Sequence, residues 1–211
     1  MKDVVICCEG NTEELFVEKI LAPYLEQSGL SVILRGMKGV SSYKKIKEFL
    51  IGYCQSYPEA LVTTMIDYYG TARLMKDFIP KEGDVYSRAL AIEAAVQKDL
   101  YQYKNLMFNL TLHEFEGYLF SNTIAFEGIA NKSQLAELQN IRRRAETPEH
   151  INNKYETAPS RQILGVIPDY SKIKDGIEIA GRIGVEKIAL ECRHFADWLA
   201  KLTAWAKDGA Q

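Results

Sequence analysis

Val4-Val5-Ile6-Cys7-Cys8-Glu9-Gly10-Asn11-Thr12-Glu13-Glu14 is the stretch whose reading decides the fold. Residues 4 to 8 form an unbroken apolar run of strand type, and the run stops on an acid and a glycine. A helical pattern starts almost at once, with Phe16, Val17, Ile20 and Leu21 recurring at helical spacing. Gly10 is expected to make the sharp turn out of the strand. Asn11 or Thr12 is placed to cap the helix, and Glu13 and Glu14 suit the positive end of its dipole. Glu9 should then stand at the carboxyl end of a buried first strand, the edge where ligands bind in open α/β sheets. Glu13 follows one helical turn later and can point back to the same place. Acids in a first turn commonly serve the dipole alone, which is the ordinary reading of Glu13 and Glu14. Glu9 ends a strand before the helix begins, and a carboxylate facing a cleft needs a partner.

The 211 residues are 47% hydrophobic and 26% charged, an ordinary globular composition for which one domain is the default. The formal net charge of −2 carries no global basic field of the kind that attracts nucleic acid in bulk, though it leaves room for a local patch or for metal ions. The cysteines are Cys7, Cys8, Cys54 and Cys192. Cys7 and Cys8 are neighbours on a strand and face opposite ways, and no C-x-x-C occurs, so all four are expected to be reduced, buried thiols of a cytoplasmic protein. Asp3 and Glu9 interrupt any signal-peptide core, and no apolar run is long enough for a bilayer, so no membrane association is expected.

Along the chain, Pro23 is expected to kink or break the first helix. Leu30–Leu34 reads as a second strand, followed by a basic loop, Arg35-Gly36-Met37-Lys38-Gly39. Ser41 or Ser42 can cap a helix with Ile46, Phe49, Leu50 and Tyr53 on its apolar side and Lys44, Lys45 and Lys47 on its polar side. Ala60–Ile66 is a third strand that ends on Asp67-Tyr68-Tyr69-Gly70, repeating the grammar of the first. Residues 71 to 84 read as a loop, Tyr86–Tyr101 as a helix, and Met107–Leu112 as a fourth strand running into His113-Glu114-Phe115-Glu116. Residues 133 to 145 look helical, and 147 to 160 polar and irregular. Phe195, Trp198, Leu199, Leu202 and Trp205 mark an amphipathic terminal helix. Alternating strands and helices argue for an α/β fold with a mostly parallel central sheet flanked by helices. In such a sheet the acidic strand ends, Glu9, Asp67 and the Glu114/Glu116 pair, converge on one rim.

Carboxylates crowded on one rim repel unless a positive charge sits among them. A hard divalent ion is the usual answer, since Mg²⁺ takes oxygen ligands and keeps substrate phosphate in its shell. There is no H-E-x-x-H, no G-x-x-x-x-G-K-[ST] and no G-x-S-x-G, which argues against a zinc protease, a P-loop nucleotide hydrolase and a nucleophile-elbow hydrolase.

Glu9-Gly10-Asn11-Thr12-Glu13-Glu14 resembles the E-G-x-T-E opening of Toprim domains, in particular those of overcoming-lysogenisation-defect (OLD) nucleases. Asp67 at the third strand and Glu116 before an apolar helix continue the resemblance. Over nearly its full length the chain is similar to a bacterial family of small Toprim-like proteins that share four motifs. These are the opening itself, D-Y-Y-G at 67–70, L-H-E-F-E at 112–116 and C-x-H-F-x-x-W-L at 192–199. The resemblance implies a single Toprim-like domain over residues 1–211, with a core of about 1–125 and a helical C-terminal extension of about 126–211. It implies a Mg²⁺ (or Mn²⁺) ion held by Glu9 and Asp67, and a second held by Glu13 and Glu116 with Glu114. It further implies a nucleic-acid substrate, DNA before RNA, and a partner ATPase of ABC/SMC type in phage defence or DNA maintenance. Toprim enzymes carry D-x-D at the third strand, whereas Tyr69 stands here in place of the second acid.

The expected function is a Mg²⁺-dependent phosphodiesterase, with Glu9, Asp67, Glu116 and Lys38 as its catalytic set. Lys38, between Gly36 and Gly39, can bring an ammonium and backbone N–H groups to a phosphate, against the ordinary reading of a solvated turn. Lys44, Lys45 and Lys47, and Arg142-Arg143-Arg144, read first as wet surface. Tyr68 and Tyr69 read first as packing, His113 as a structural hydrogen-bonder, and His194 and Trp198, four apart, as packing of the terminal helix. Lys174 and Arg193 are candidates for neutralising transition-state charge. Two alternatives stand beside the nuclease: a catalytically inactive binding or regulatory subunit, and a nucleotidyl or phosphoryl transferase using the same rim. Homo-oligomerisation is left open.

Overall fold

A computed structural model describes residues 1–78, 80, 83–112, 114–151 and 157–207. The apolar opening forms β1 (Lys2–Cys8), whose last five residues are fully buried. The helix after it runs from Asn11 to Glu26 in three segments: α1 (Asn11–Phe16), a π-helical turn over Val17–Leu21, and α2 (Ala22–Glu26). The helical run continues through Pro23, at the start of α2, instead of breaking there. The wide turn before it absorbs the backbone group that a proline cannot bond. β2 (Leu30–Gly36) reaches two residues further than its apolar run, because Arg35 and Gly36 still pair with Cys7 and Cys8.

Ser42 caps α3 (Tyr43–Ser56) by accepting the Lys45 N–H, as its position in sequence suggests. β3 (Leu61–Asp67) is followed at once by α4 (Tyr68–Leu74) and a short 3₁₀ turn at Lys76–Phe78, where a loop was expected. Glycine at position 70 lowers helix propensity, and the Asp67 cap outweighs it. Asp84 caps α5 (Val85–Asp99). The expected fourth strand is split into β4 (Leu106–Met107) and β5 (Leu110–Thr111). Between them Asn109 turns to β3, its N–H donating to Thr64 Oγ1 at 2.8 Å while that hydroxyl donates to the Asn109 carbonyl at 2.5 Å.

All strand pairs are parallel, and the order is β2-β1-β3-β4, with β5 also pairing with β3. Odd and even residues of β1 serve different cores. Val4, Ile6 and Cys8 pack with Phe16, Val17, Leu21 and Leu25 on one face, and Val5 and Cys7 pack with Ile46, Leu50, Ile92 and Val96 on the other. All four cysteines are free and buried.

The chain continues through α6 (Glu116–Leu119), α7 (Lys132–Arg143), α8 (Pro159–Val166), α9 (Ile177–Ile183), α10 (Val185–Glu191) and α11 (Arg193–Lys207). Residues of the expected helical extension share one core with the sheet: Ile163, Ile179, Phe195 and Trp198 lie in the same cluster as Val4, Ile6 and Met65. The late C-x-H-F-x-x-W-L motif is the fastening. Cys192 meets Ser121 at 3.4 Å, His194 Nε2 meets Glu93 Oε1 at 3.0 Å, and Trp198 Nε1 donates to Thr63 Oγ1 of β3 at 2.9 Å. Buried Glu149 accepts the N–H groups of His194 and Phe195, so a glutamate distant in sequence caps α11. No helix among the described residues is long and apolar enough to cross a membrane.

Trp198→Ala removes both a large buried ring and the bond to β3. We expect it to lose about 3–5 kcal/mol, read as a lower urea midpoint with unchanged slope and one cooperative transition. Separate transitions for the sheet and the terminal helices would contradict the shared core.

Candidate active site

Two strand ends make the floor of the site. Cys8 pairs with Met65, which sets Glu9 level with Ile66 and Asp67 one residue beyond. The chain passes outward from β1 to β2 and then returns to β3 on the other side of β1, so the strand order reverses between β1 and β3. Loops at this reversal diverge to opposite faces of the sheet and leave a crevice between them. Glu9 and Asp67 stand at its two lips.

The two acids are held differently. Asp67 caps α4, its Oδ1 accepting the Tyr69 N–H at 2.8 Å, so one oxygen is committed to the fold. The Glu9 carboxylate lies against Gly70, 3.6 and 3.7 Å from the point where a side chain at that position would begin. Glu13 turns back from the first turn of α1 over Gly10. Its Oε2 is 2.6 Å from where a β-carbon on Gly10 would stand, so a side chain at that position would displace the carboxylate from this place. Gly10 itself has φ −123°, ordinary extended backbone. The turn does not require glycine as the sequence suggested; the bare backbone leaves room for the carboxylate above it. Neither Asn11 nor Thr12 caps the helix, since Gly10 takes that place without a side-chain bond. Glu14 points elsewhere, toward Gly36 of β2.

The third edge comes from the segment after β5. Glu114 accepts the N–H of Ser160, at the start of α8, at 3.1 Å. Glu116 opens α6 and is 2% exposed. Its Oε1 is buried without hydrogen-bond geometry to any described group, and Lys172 Nζ stands at ion-pair distance, 3.1 Å away. Lys172 begins a π-helical turn, Lys172–Gly176, capped by Ser171.

Electrostatics joins these groups into one cluster. Burial pushes the carboxyl pKa values of Glu9, Glu13 and Glu116 up and that of Asp67 well up; for Glu13, Asp67 and Glu116 repulsion from neighbouring carboxylates adds to it, while for Glu9 a backbone N–H bond from Asp67 opposes it. Glu13 feels Glu116 and Glu9, while Asp67 feels Glu114, Glu13 and Glu9. Burial would lower the pKa of Lys172, but the fields of Glu116, Glu114 and Glu13 outweigh it and hold the ammonium charged. Five carboxylates thus share a rim into which Lys172 brings one positive charge.

Electrostatic coupling links Glu9, Glu13, Asp67, Glu114 and Glu116 as neighbours, and it brings in Lys172, which the sequence reading passed over in favour of Lys38, Lys174 and Arg193. Lys38 lines a different hollow with Gly39, Lys45, Glu48 and Phe49. Arg193 is exposed at the start of α11. Nothing in the run Ser171-Lys172-Ile173-Lys174 distinguishes one lysine from the other; the geometry of the turn does. Lys47 pairs with Asp99 at 2.8 Å and Arg142 with Glu191 at 2.9 Å. Tyr68 is buried in the core, with its ring edge-on to Tyr69. His113 lies outside the described residues.

The donor set suits a hard divalent cation in kind. It is made of carboxylate oxygens, one of them the buried Glu116 Oε1 that faces the Lys172 ammonium. As the side chains stand, no three acidic, histidine or cysteine groups among the described residues form a ready metal cage. Beside the rim lies a pocket of about 220 Å³ walled by Met37, Val40, Ile46, Ile66 and Leu74, with Glu9, Gly70, Thr71 and Arg73 at its polar edge.

Residues 8–203 match the family model described as Domain of unknown function (DUF4276). Among solved structures, the C-terminal region of the Xanthomonas campestris pv. campestris OLD protein aligns at 15% identity and a TM-score of 0.36, covering 93% of this chain and 96% of that one. A likeness of that degree says nothing of this chain's chemistry. No curated protein matches.

Carboxyl groups whose pKa is raised by folding bind protons more tightly in the native state. Their stabilising effect is therefore complete below the ordinary values, 3.8 for aspartate and 4.5 for glutamate, and is lost as pH rises through the raised values. Asp67→Asn keeps an oxygen for the Tyr69 N–H and removes one charge. In metal-free buffer we expect its thermal midpoint to exceed that of the wild type at about pH 8 and to converge with it toward about pH 4. A variant less stable than the wild type at the higher pH would contradict the crowding of charge described above.

Proposed function

The chain belongs to the DUF4276 family, and we propose that it is a Toprim-like, Mg²⁺- or Mn²⁺-dependent phosphodiesterase that cuts nucleic acid, DNA before RNA. The observation that supports this reading is the crowding of carboxylates at the reversal of strand order: Glu9, Glu13, Asp67, Glu114 and Glu116 raise one another's charge burden, and among the described residues Lys172 pairs with Glu116. A crevice of that charge repels a phosphodiester unless cations are present, and it is suited to recruit them. In this scheme Glu9 and the free oxygen of Asp67 hold one ion, and Glu13 and Glu116, with Glu114, offer the second set of donors. Bound there, a divalent ion supplies Lewis-acid polarisation of the phosphate and activation of water.

The protein's own groups then have separable tasks. Asp67 is oriented by the Tyr69 N–H and cannot swing away without uncapping α4. Glu13 occupies the space over Gly10 that a side chain there would fill. Lys172, 45% exposed, reaches the rim from the terminal half of the chain, and its ammonium can donate to a non-bridging phosphate oxygen while remaining near Glu116. Lys172 replaces Lys38 in the catalytic set. An ATPase partner of ABC/SMC type belongs to this reading through the resemblance in sequence.

A second reading is favoured by Tyr69, which stands where a further acid is usual in Toprim enzymes, and by the lack of a ready three-donor cage. It is a regulatory or binding subunit that no longer cuts.

Metal addition separates the two. For the enzyme, Mn²⁺ raises the thermal midpoint of the wild type, and Glu9→Gln or Asp67→Asn removes most of that rise. Cleavage of DNA or RNA in Mg²⁺ or Mn²⁺ falls at least about hundredfold in either variant. Lys172→Met keeps the metal-induced rise but slows cleavage about 10²–10³-fold. Intact nucleic acid in both metals, with and without an ATPase partner, together with an unmoved thermal midpoint, would overturn the phosphodiesterase and leave the regulatory subunit.

A further inference from the structure

The pocket beside Glu9 is not used by the chemistry above, yet it shares two of its residues with the rim. Glu9 is at once a lip of the acidic crevice and part of the pocket edge, and Gly70, against which the Glu9 carboxylate lies, lines the same pocket. We propose that this pocket takes a single nucleobase, that of the nucleotide whose phosphate sits at the acidic rim. The inference deepens the phosphodiesterase reading and rests on it in one respect, the position of the phosphate.

Three features of the pocket select a base over other occupants. Its walls are apolar: Met37 is fully buried, Ile46 and Ile66 are 1% exposed, and Val40 and Leu74 close the sides. A base presents two flat apolar faces to such walls. The lining also includes Glu9, Thr71 and Arg73, residue types that can meet the hydrogen-bonding rim of a heterocycle. Its volume of about 220 Å³ is below the roughly 300 Å³ at which pockets begin to hold drug-sized ligands. One ring system fits; two stacked bases do not. The substrate is then a single strand, or a strand end, from which one base can leave its neighbours, because a base paired in a duplex cannot enter a side pocket without being extruded.

Smooth steric walls supply the means of closing the pocket without touching the acids. Val40 and Leu74 are half-buried at its sides, so a larger side chain at either position projects into the space with little loss to the core.

The experiment compares a nucleoside 5′-monophosphate with ribose 5-phosphate, which lacks the base, by titration calorimetry in buffer containing Mn²⁺. The wild type is expected to bind the nucleotide about tenfold or more tightly than the sugar phosphate. Val40→Trp and Leu74→Phe, checked for native thermal midpoints, should bring the two ligands to the same weaker affinity. Equal affinity for both ligands in the wild type overturns the proposal without recourse to any variant, as does no saturable binding of either. Retained preference for the nucleotide in both folded variants overturns it as well. The outcome is separable from that of the cleavage assay. A base preference lost in the filled variants supports the pocket even if no polymer is cut, and efficient cleavage with no base preference refutes the pocket while leaving the phosphodiesterase intact.

Discussion

The parallel pairing of β1 with β3 is the constraint on which the rest of the molecule depends. The register that places Cys8 beside Met65 brings Glu9 and Asp67 out of adjacent strands at the same end of the sheet. Antiparallel pairing of the same strands would send the two acids to opposite ends. The crossovers then carry the chain to different faces, the helix after β1 packing in one core and α3 in the other, and this diverges the loops at the strand ends where the acids stand. The two-sided burial of β1 keeps that register, because a slip by one residue would exchange the packing partners of Cys7 and Cys8 between the two cores.

Concentrating carboxylates at one rim has an electrostatic cost, and the terminal helices meet part of it. They bury the face of the sheet formed by Val4, Ile6 and Met65, and they deliver Lys172 to within 3.1 Å of Glu116. The same region supplies the Ser160 N–H that steadies Glu114. The fastening of that region to the sheet relies on polar groups satisfied far from the rim: Glu149 at the start of α11, Glu93 beside His194, and Trp198 on Thr63. Acids in this protein therefore divide into two populations. Glu149 and Glu93 have their bonds met by the fold, whereas those at the rim are crowded, buried and short of positive charge, and only the second kind calls for something from outside.

Some of this was legible in the order of residues. A five-residue apolar run cut off by Glu9-Gly10 reads as a strand followed by a tight exit, and the repeat of that grammar at Asp67 reads as a second strand of the same kind. Apolar periodicity also marks α3, α5 and α11, because burying one face of a helix leaves its trace at spacings of three and four. Other readings went astray for identifiable reasons. Gly10 looks like a turn residue from its neighbours, while its backbone is ordinary and its bareness makes room for a carboxylate that returns from the next helical turn. Residues 71 to 84 read as a loop, while the aspartate cap at position 67 starts a helix that holds 71–74.

The sequence by itself determined the class of the fold, the strand ends on which acids stand, and the burial of the cysteines, since each of these follows from local pattern and from the period of strand or helix. Tertiary structure alone decided which cation answers those acids. Lys172 lies more than fifty residues beyond Glu116 in a turn whose neighbouring lysine looks the same on paper. Tertiary structure likewise decided that His194 meets Glu93 and Trp198 meets Thr63, and that an apolar pocket adjoins Glu9. Contacts between distant segments leave no periodic mark in a chain. They arise from how faces of different elements meet, and that is settled only when the whole core closes.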